Sequence, residues 1–318
     1  MFITYLSFFS GFAILIAGAQ MLVNGASSIG IKLKISQMVM GLTVVALGTS
    51  LPELIVNIFA GIKGNTDLAI GNILGSNITN MLLVVGVTAI IIPIHFQRKT
   101  LQRDIPFSLF APILLALLAN DFIFGRQNII SRADGIILLI FLGFFLYFTF
   151  FKQGETPASV QGSIKQYSWG FSLLFIAVGG LGLYFGGKWI VDGAVKIATV
   201  MGISQTAMGL TLVAGATSLP ELATSIIAAR KSNADMALGN AVGSNILNIL
   251  LVLGVTALIK PIPYAPKLNI ELGLVFASGL LLLVFARLGK TKNTLNRFEG
   301  VLLVLIYVAF IYFTTMYQ

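Results

Sequence analysis

Ten apolar runs, each long enough to cross a bilayer as a helix, follow one another along almost the whole chain. A transmembrane helix needs about 20 mostly apolar residues. Of the 318 residues, 57% are hydrophobic and 10% are charged, whereas a soluble domain carries roughly 25% charged residues. The pattern predicts an all-α integral membrane protein with ten transmembrane helices. The predicted spans are 2–23, 38–61, 67–92, 105–120, 133–151, 169–190, 206–229, 235–259, 270–287 and 299–316.

Polar segments between these runs predict the orientation of the chain. Ten spans place seven Lys and Arg residues on one side and thirteen on the other. The positive-inside rule makes the richer side cytoplasmic, so both termini are expected outside a cell (plasma) membrane. The segment 152–168 reads as a cytoplasmic linker that is too short to fold as a domain. Although the net charge is +9, the basic residues are scattered. We therefore expect lipid around the chain, no nucleic-acid partner and no obligate protein partner.

The sequence contains an internal repeat. Residues 41–94 and 209–262 align without a gap at an offset of 168, with 34 identities in 54 positions. The same offset aligns parts of the first and sixth spans. The chain therefore divides into two five-helix halves, 1–151 and 169–318. An odd number of spans inverts the second half relative to the first. Inverted repeats are typical of secondary transporters, whose substrate site lies near the membrane midplane.

Two glutamates lie in the middle of predicted spans. Of eleven acidic residues, Glu53 and Glu221 are the two in mid-span, and they occupy equivalent positions in the repeat. A carboxylate at the bilayer centre costs about 2.5–3.5 kcal/mol on insertion scales. Because no Lys or Arg lies at mid-span, a cationic partner is predicted. In an alternative interpretation, two protonated carboxyls hold broken helices together.

A proline precedes each glutamate and predicts a break in its helix. Proline lacks an N–H group and clashes with the carbonyl four residues earlier, which should free carbonyls around Ala46 and Ala214. Irregular backbone at membrane depth is tolerated where it lines a cavity or is buried in protein. Carbonyl and hydroxyl oxygens are hard ligands of the kind that Ca²⁺ prefers. Thr49 lies four residues before Glu53, so the two are expected to share a helix face.

The span after each glutamate carries a second motif, GNILGSN in one half and GNAVGSN in the other. The GxxxG spacing favours close helix packing. Ser76 and Asn80, like Ser244 and Asn248, are spaced to complete an oxygen cage with the broken helices. The remaining polar residues of this span are interpreted as structural. Asn72, Asn77, Asn240 and Asn245 are expected to bridge helices, and Asp67 and Asp235 to cap them.

The paired segments GTSLPE with GNILGSN and ATSLPE with GNAVGSN resemble the two alpha repeats of the sodium/calcium exchanger family in its prokaryotic form. The resemblance covers both halves. It implies a ten-helix antiporter, with no cofactor and no enzymatic activity, that exports Ca²⁺ against about three Na⁺ by alternating access. The first and sixth helices would slide over the other eight. The resemblance implies that the ion ligands are the carbonyls of Ala46 and Ala214 and the side chains of Thr49, Ser50, Glu53, Ser76, Asn80, Thr217, Ser218, Glu221, Ser244 and Asn248.

Other interpretations remain open from the residues. The chain has Asn248 where potassium-dependent members of the family have Asp, so we expect K⁺-independent exchange. A proton-coupled or other divalent-cation exchanger would use a similar set of oxygens. A passive cation channel is disfavoured by the inverted repeat within a single chain. An intramembrane enzyme is disfavoured because the sequence contains no HExxH motif and no Ser–His or paired-Asp constellation.

Overall fold

The computed structural model describes residues 2–63, 66–120, 128–151, 165–200, 214–289 and 291–316, and most of them are helical. We number the helices α1 to α12 and the strands β1 to β4. The helices are α1 Phe2–Lys32, α2 Gln37–Thr49, α3 Leu51–Lys63, α4 66–91, α5 Thr100–Ala119, α6 Arg132–Phe151, α7 Trp169–Val200, α8 Ala214–Thr217, α9 Leu219–Arg230, α10 Ala234–Ile259, α11 Asn269–Leu288 and α12 Arg297–Met316. The strands are β1 Ile94–His95, β2 Ile129–Ile130, β3 Ile262–Pro263 and β4 Thr294–Leu295.

Within the described residues, eight helices are long and apolar enough to cross a membrane, and the bent pair α2–α3 makes a ninth. These nine match nine of the ten predicted spans. Part of the predicted span 206–229 lies outside the described residues, and α8 and α9 cover the remainder. Most of the predicted linker and both chain ends also lie outside them. The structure is therefore all-helical in its spans, as the apolar runs predict.

Several predicted boundaries were wrong. The first helix has 31 residues and ends at Lys32, not 23, and α7 has 32 residues and ends at Val200, not 190. At a rise of 1.5 Å per residue, each is about 45 Å long and exceeds the hydrocarbon core.

The predicted cap of α10 was also wrong. Asp235 is not the cap, because the Asn233 side chain accepts a hydrogen bond from the Met236 N–H. Asp235 instead accepts a hydrogen bond from Gln97.

Helices α4 and α10 form the centre of the bundle. About 78% of the apolar membrane-spanning stretch of each helix is buried within the protein, whereas only 33% of the corresponding stretch of α1 or α7 is buried. The two central helices contribute much of the larger apolar core, including Ile73, Leu74 and Ile246. Since these two helices carry the GNILGSN and GNAVGSN motifs, their polar residues lie deep inside the protein.

Helices α1 and α7 pack against each other in opposite directions. The close contacts pair Gly11 with Gly186 and Gly18 with Gly179, so residue numbers rise along one helix as they fall along the other. A Cβ atom on Gly18 would lie 2.8 Å from the Gly179 carbonyl oxygen. Glycine is therefore needed for the close approach of the two backbones.

Short strand pairs join loops at the two ends of the bundle. Strand β1 pairs with β4, and β2 pairs with β3, both in antiparallel register. Because the 20-residue helix α5 separates β1 from β2, the two pairs lie at opposite ends. In the predicted ten-span topology, the two loops that each pair joins lie on the same side of the membrane.

Candidate functional site

The two mid-span glutamates lie just after breaks in their helices. Ser50 separates α2 from α3 with φ −85° and ψ 6°, and Ser218 separates α8 from α9 with φ −87° and ψ 2°. The α2–α3 pair is bent by 46°. Each proline falls in the first turn of the second helix, where a missing N–H is tolerated. The predicted breaks are confirmed, and each places a glutamate in the first turn of the following helix.

Both glutamates are fully buried, with 0% of either side chain exposed. They are close enough to interact electrostatically. Within the described residues, neither is paired with a Lys or Arg, and no cluster of three or more acidic, His or Cys side chains forms. Two facing carboxylates in a buried site need protons or a cation to offset their charge. The site is therefore built to hold positive charge.

Hydroxyl groups from both halves bind the glutamate of the second half. The Ser50 hydroxyl donates to Glu221 Oε1 at 3.1 Å, and the Ser244 hydroxyl donates to the same oxygen at 3.3 Å. Thr49 also lies beside Glu221, whereas Thr217 lies beside Glu53. Each threonine thus lies beside the glutamate of the other half, a contact that the spacing of Thr49 and Glu53 along one helix did not predict.

The two threonines join the broken helices to the central helices. Thr49 Oγ1 lies 3.0 Å from Asn240 Oδ1 and 3.4 Å from Ser244 Oγ. Thr217 Oγ1 makes the equivalent contacts, 3.0 Å from Asn72 Oδ1 and 3.2 Å from Ser76 Oγ. Each threonine thus crosses from its own half to the other half. The predicted bridging by these asparagines is confirmed.

Among the described residues, the predicted oxygen cage contains many buried atoms without hydrogen-bond partners. An unpaired buried polar group costs about 1–3 kcal/mol, so a concentration of them in one region calls for an explanation. Six unpaired oxygens belong to residues of the predicted ligand set. They are Glu53 Oε1 and Oε2, Glu221 Oε2, Asn80 Oδ1, Asn248 Oδ1 and Ser218 Oγ.

A π-helical turn begins at each of the two candidate asparagine ligands. The turns are Asn80–Val84 in α4 and Asn248–Leu253 in α10. Such turns widen the helix by one residue and are frequent at functional sites. They were not predicted, because hydrophobic periodicity does not distinguish a single π-turn from an α-helix.

The candidate backbone ligands differ from the expectation. The Ala46 carbonyl is not free, since it accepts from the Ser50 N–H at 2.9 Å and lies 3.2 Å from the Thr49 hydroxyl. Because the helix bends after Ala46 and not before it, this carbonyl keeps its helical partner. Ala214 begins α8 at the equivalent position.

A cavity of about 490 Å³ lies between α3, α7, α8 and α9. Pro52, Thr217 and Pro220 line it beside the glutamates, and the exposed Lys188 and Asp192 line it on α7. The cavity lies toward the end of the bundle where α1 begins, because Gly193 on α7 packs against Phe8. The cavity therefore lies between the helix breaks and that end, although neither glutamate lines it.

Sequence reasoning missed two residues behind the glutamates. Asn57 and Ser225 follow Glu53 and Glu221 by one turn and are both fully buried. They make different hydrogen bonds, since Asn57 bonds within its own helix and Ser225 bonds to α10. The repeat contained the signal, since these are two different polar residues at aligned positions four residues after each glutamate.

Comparisons with known proteins agree on the family. The family model described as sodium/calcium exchanger protein matches residues 3–151 and 171–316. The putative antiporter CaxA of Alkalimonas amylolytica is 39% identical over 311 residues, covering 95% of each chain. The sodium/calcium exchanger MaX1 of Methanosarcina acetivorans is 33% identical over 348 residues, covering 97% of each.

Solved structures give the same result for the fold. A structure of the sodium-calcium exchanger NCX_Mj, soaked with 10 mM Na⁺ and no Ca²⁺, superposes with a TM-score of 0.83. The two chains share 33% identity, and the match covers 97% of each. With the family model matched over both halves, the chain belongs to the sodium/calcium exchanger family.

Proposed function

We propose that this protein is a secondary antiporter that exchanges Na⁺ for Ca²⁺ across the cell membrane at a site centred on Glu53 and Glu221. The observation that carries the proposal is the pair of buried carboxylates, with unpaired oxygens, that face each other on broken helices from both halves. The proposed ligands are those of the sequence-based prediction, and the Ala46 carbonyl would join them by releasing the Thr49 hydroxyl. The choice of ions is supported by the relatives MaX1 and NCX_Mj, which are both described as sodium/calcium exchangers.

The chemistry of the site favours hard cations. Its groups are carboxylates, hydroxyls, amides and backbone carbonyls, and the whole chain contains no cysteine. Such oxygens suit Ca²⁺, which takes six to eight of them in flexible geometry. With both glutamates ionised, the charge of −2 is neutralised by one Ca²⁺, whereas three Na⁺ leave +1. The family resemblance implies three Na⁺ for each Ca²⁺, and exchange at that ratio would be electrogenic because it moves one net positive charge.

The architecture supports alternating access. We propose ten helices in two inverted halves, 1–151 and 169–318, joined by the cytoplasmic linker 152–168, with both termini outside. The antiparallel packing of α1 against α7 agrees with inversion, because these helices occupy equivalent places in the repeat. The cavity lined by Thr217 and Asp192 would be the route to the outside, and sliding of α1 and α7 would close it.

Flux of ⁴⁵Ca²⁺ in proteoliposomes tests the proposal, with Na⁺, K⁺ and H⁺ gradients imposed one at a time. A Na⁺ gradient should drive Ca²⁺ uphill, and a K⁺ or H⁺ gradient should not. Flux driven by the H⁺ gradient alone would instead identify a proton-coupled exchanger. Downhill flux that no gradient can reverse would identify a channel.

A further inference from the structure

The helix that carries Glu221 is tied to its neighbour by hydrogen bonds. Asn240 on α10 donates from Nδ2 to the Glu221 backbone carbonyl at 3.2 Å and to Ser225 Oγ at 3.0 Å. Ser225 Oγ in turn donates to the Ala237 carbonyl at 3.3 Å. These three bonds fix α9 against α10 directly behind the glutamate.

The helix that carries Glu53 is not tied in this way. Asn57 stands where the second half has Ser225, and its Nδ2 donates to the Glu53 carbonyl at 2.8 Å within the same helix. Within the part of the chain that the structure describes, Nδ2 of Asn72, the equivalent of Asn240, and Oδ1 of Asn57 are both unpaired. The backbone carbonyl of Glu221 is bound by the neighbouring helix α10, whereas that of Glu53 is bound from within its own helix.

The carboxylates show the same asymmetry. Glu221 Oε1 accepts from two hydroxyls, Ser50 and Ser244. Thr217 lies beside Glu53 as Thr49 lies beside Glu221, but within the described residues the hydroxyl of Ser218, the equivalent of Ser50, bonds to nothing. Glu221 is therefore held by more hydroxyl groups than Glu53. An exchanger whose two substrates differ in charge and number needs such an adaptable ligand, because each substrate requires a different arrangement of oxygens.

We propose that Asn57 is a positioning residue that keeps the Glu53 half of the site adaptable by occupying the carbonyl that Asn72 would otherwise bind. This inference rests on the proposed exchange function. A serine at position 57 would turn its hydroxyl toward α4, as Ser225 turns its own toward the Ala237 carbonyl of α10, and would leave the Glu53 carbonyl free. Its hydroxyl would accept from Asn72, as Ser225 accepts from Asn240, and Asn72 would bind the freed carbonyl. Both halves would then be fixed.

The test compares Asn57→Ser, Ser225→Asn and the double variant with the wild type. In Na⁺-driven ⁴⁵Ca²⁺ flux, Asn57→Ser should lower the maximal rate by roughly two- to tenfold, the factor expected from one buried hydrogen bond, without raising the KM for Ca²⁺. The double variant should recover much of the rate, because α9 would then have the local bond that α3 has in the wild type, and one half of the site would remain adaptable. A packing defect at position 57 would not be repaired by a change at position 225.

Hydrogen–deuterium exchange of the unmodified protein and its variants gives a readout independent of transport. Amides of α3 should exchange faster than those of α9 in the wild type and should be protected by Asn57→Ser. If the wild type shows no Na⁺-driven flux, the proposed function fails, and the protection of α3 still decides the asymmetry. Wild-type rates in Asn57→Ser, or a loss of rate with no protection of α3, would overturn the inference. If Asn57→Ser does not fold, Asn57→Ala, which also frees the carbonyl, should show the same protection.

Discussion

Asn77 and Asn245 exchange hydrogen bonds across the centre of the protein. Asn77 Nδ2 donates to the Asn245 carbonyl at 3.3 Å, and Asn245 Nδ2 donates to the Asn77 carbonyl at 3.0 Å. The two residues are 168 positions apart, which is the offset of the repeat. A reciprocal contact between equivalent groups is what a local two-fold axis produces. It supports the proposal that the halves are related by such an axis between α4 and α10.

This contact predicts unequal effects of two alanine substitutions. Asn77 Oδ1 also accepts from Asn248 Nδ2 at 3.0 Å, whereas Asn245 Oδ1 has no partner within the described residues. Interhelical hydrogen bonds in membranes contribute about 0.6 kcal/mol each. Asn77→Ala should therefore lower the Tm in detergent more than Asn245→Ala. An equal or larger loss in Asn245→Ala would contradict the assigned pairing.

Two equivalent glycines should differ in their tolerance of a methyl group. A Cβ atom on Gly239 would lie 2.5 Å from the Met38 carbonyl oxygen, whereas one on Gly71 would meet no described residue within 4 Å. Overpacking a tight contact costs about 1–3 kcal/mol, and alanine is favoured over glycine in a helix by up to about 1 kcal/mol. Gly239→Ala should lower the Tm and Gly71→Ala should not. The same loss in both variants would show that the packing of α10 against α2 is wrongly placed.

Neutralising either buried glutamate should abolish Ca²⁺ transport. Glu53→Gln and Glu221→Gln keep the shape of the side chain and remove one charge, which leaves a divalent ion poorly compensated in a low-dielectric site. Glu271→Gln, on α11 outside the site, is the matched control and should transport normally. Each variant is checked by size-exclusion chromatography before ⁴⁵Ca²⁺ flux. Normal flux in a well-folded Glu53→Gln protein would exclude the proposed site.

The proposed orientation predicts which loops face the cytoplasm. Since the chain has no cysteine, single cysteines report their side cleanly. Lys267→Cys, exposed before α11, should react with an impermeant maleimide in intact cells, whereas Gln166→Cys, exposed before α7, should react only after permeabilisation. Labelling of Gln166→Cys with protection of Lys267→Cys would reverse the orientation.

Much of the fold was predictable because its signals are local. Apolar runs of membrane-spanning length identified nine described spans, and prolines before Glu53 and Glu221 located the helix breaks. The lengths of α1 and α7 were not predictable. They extend past the apolar runs because glycines and serines let each continue along the other, as Gly25 does beside Ser172.

The composition of the candidate site followed from the repeat, but its pairing did not. Alignment of the halves singled out the glutamates, threonines, serines and asparagines that the structure brings together. The contact of Thr49 with Glu221 depends on how the halves interlock, which spacing along one helix cannot reveal. The asymmetry behind the glutamates also required the structure, since it depends on which carbonyl the Asn57 amide reaches.

Ca²⁺ flux at a controlled membrane potential tests the central claim most directly. Proteoliposomes are clamped with valinomycin and K⁺, with choline replacing Na⁺ as the control and Glu53→Gln as the inactive variant. One charge crossing 100 mV is worth about 2.3 kcal/mol. The account predicts Ca²⁺ extrusion that requires Na⁺ on the opposite side, accelerates at negative-inside potential and disappears in Glu53→Gln. Flux that ignores both Na⁺ and voltage but follows a pH gradient would contradict it.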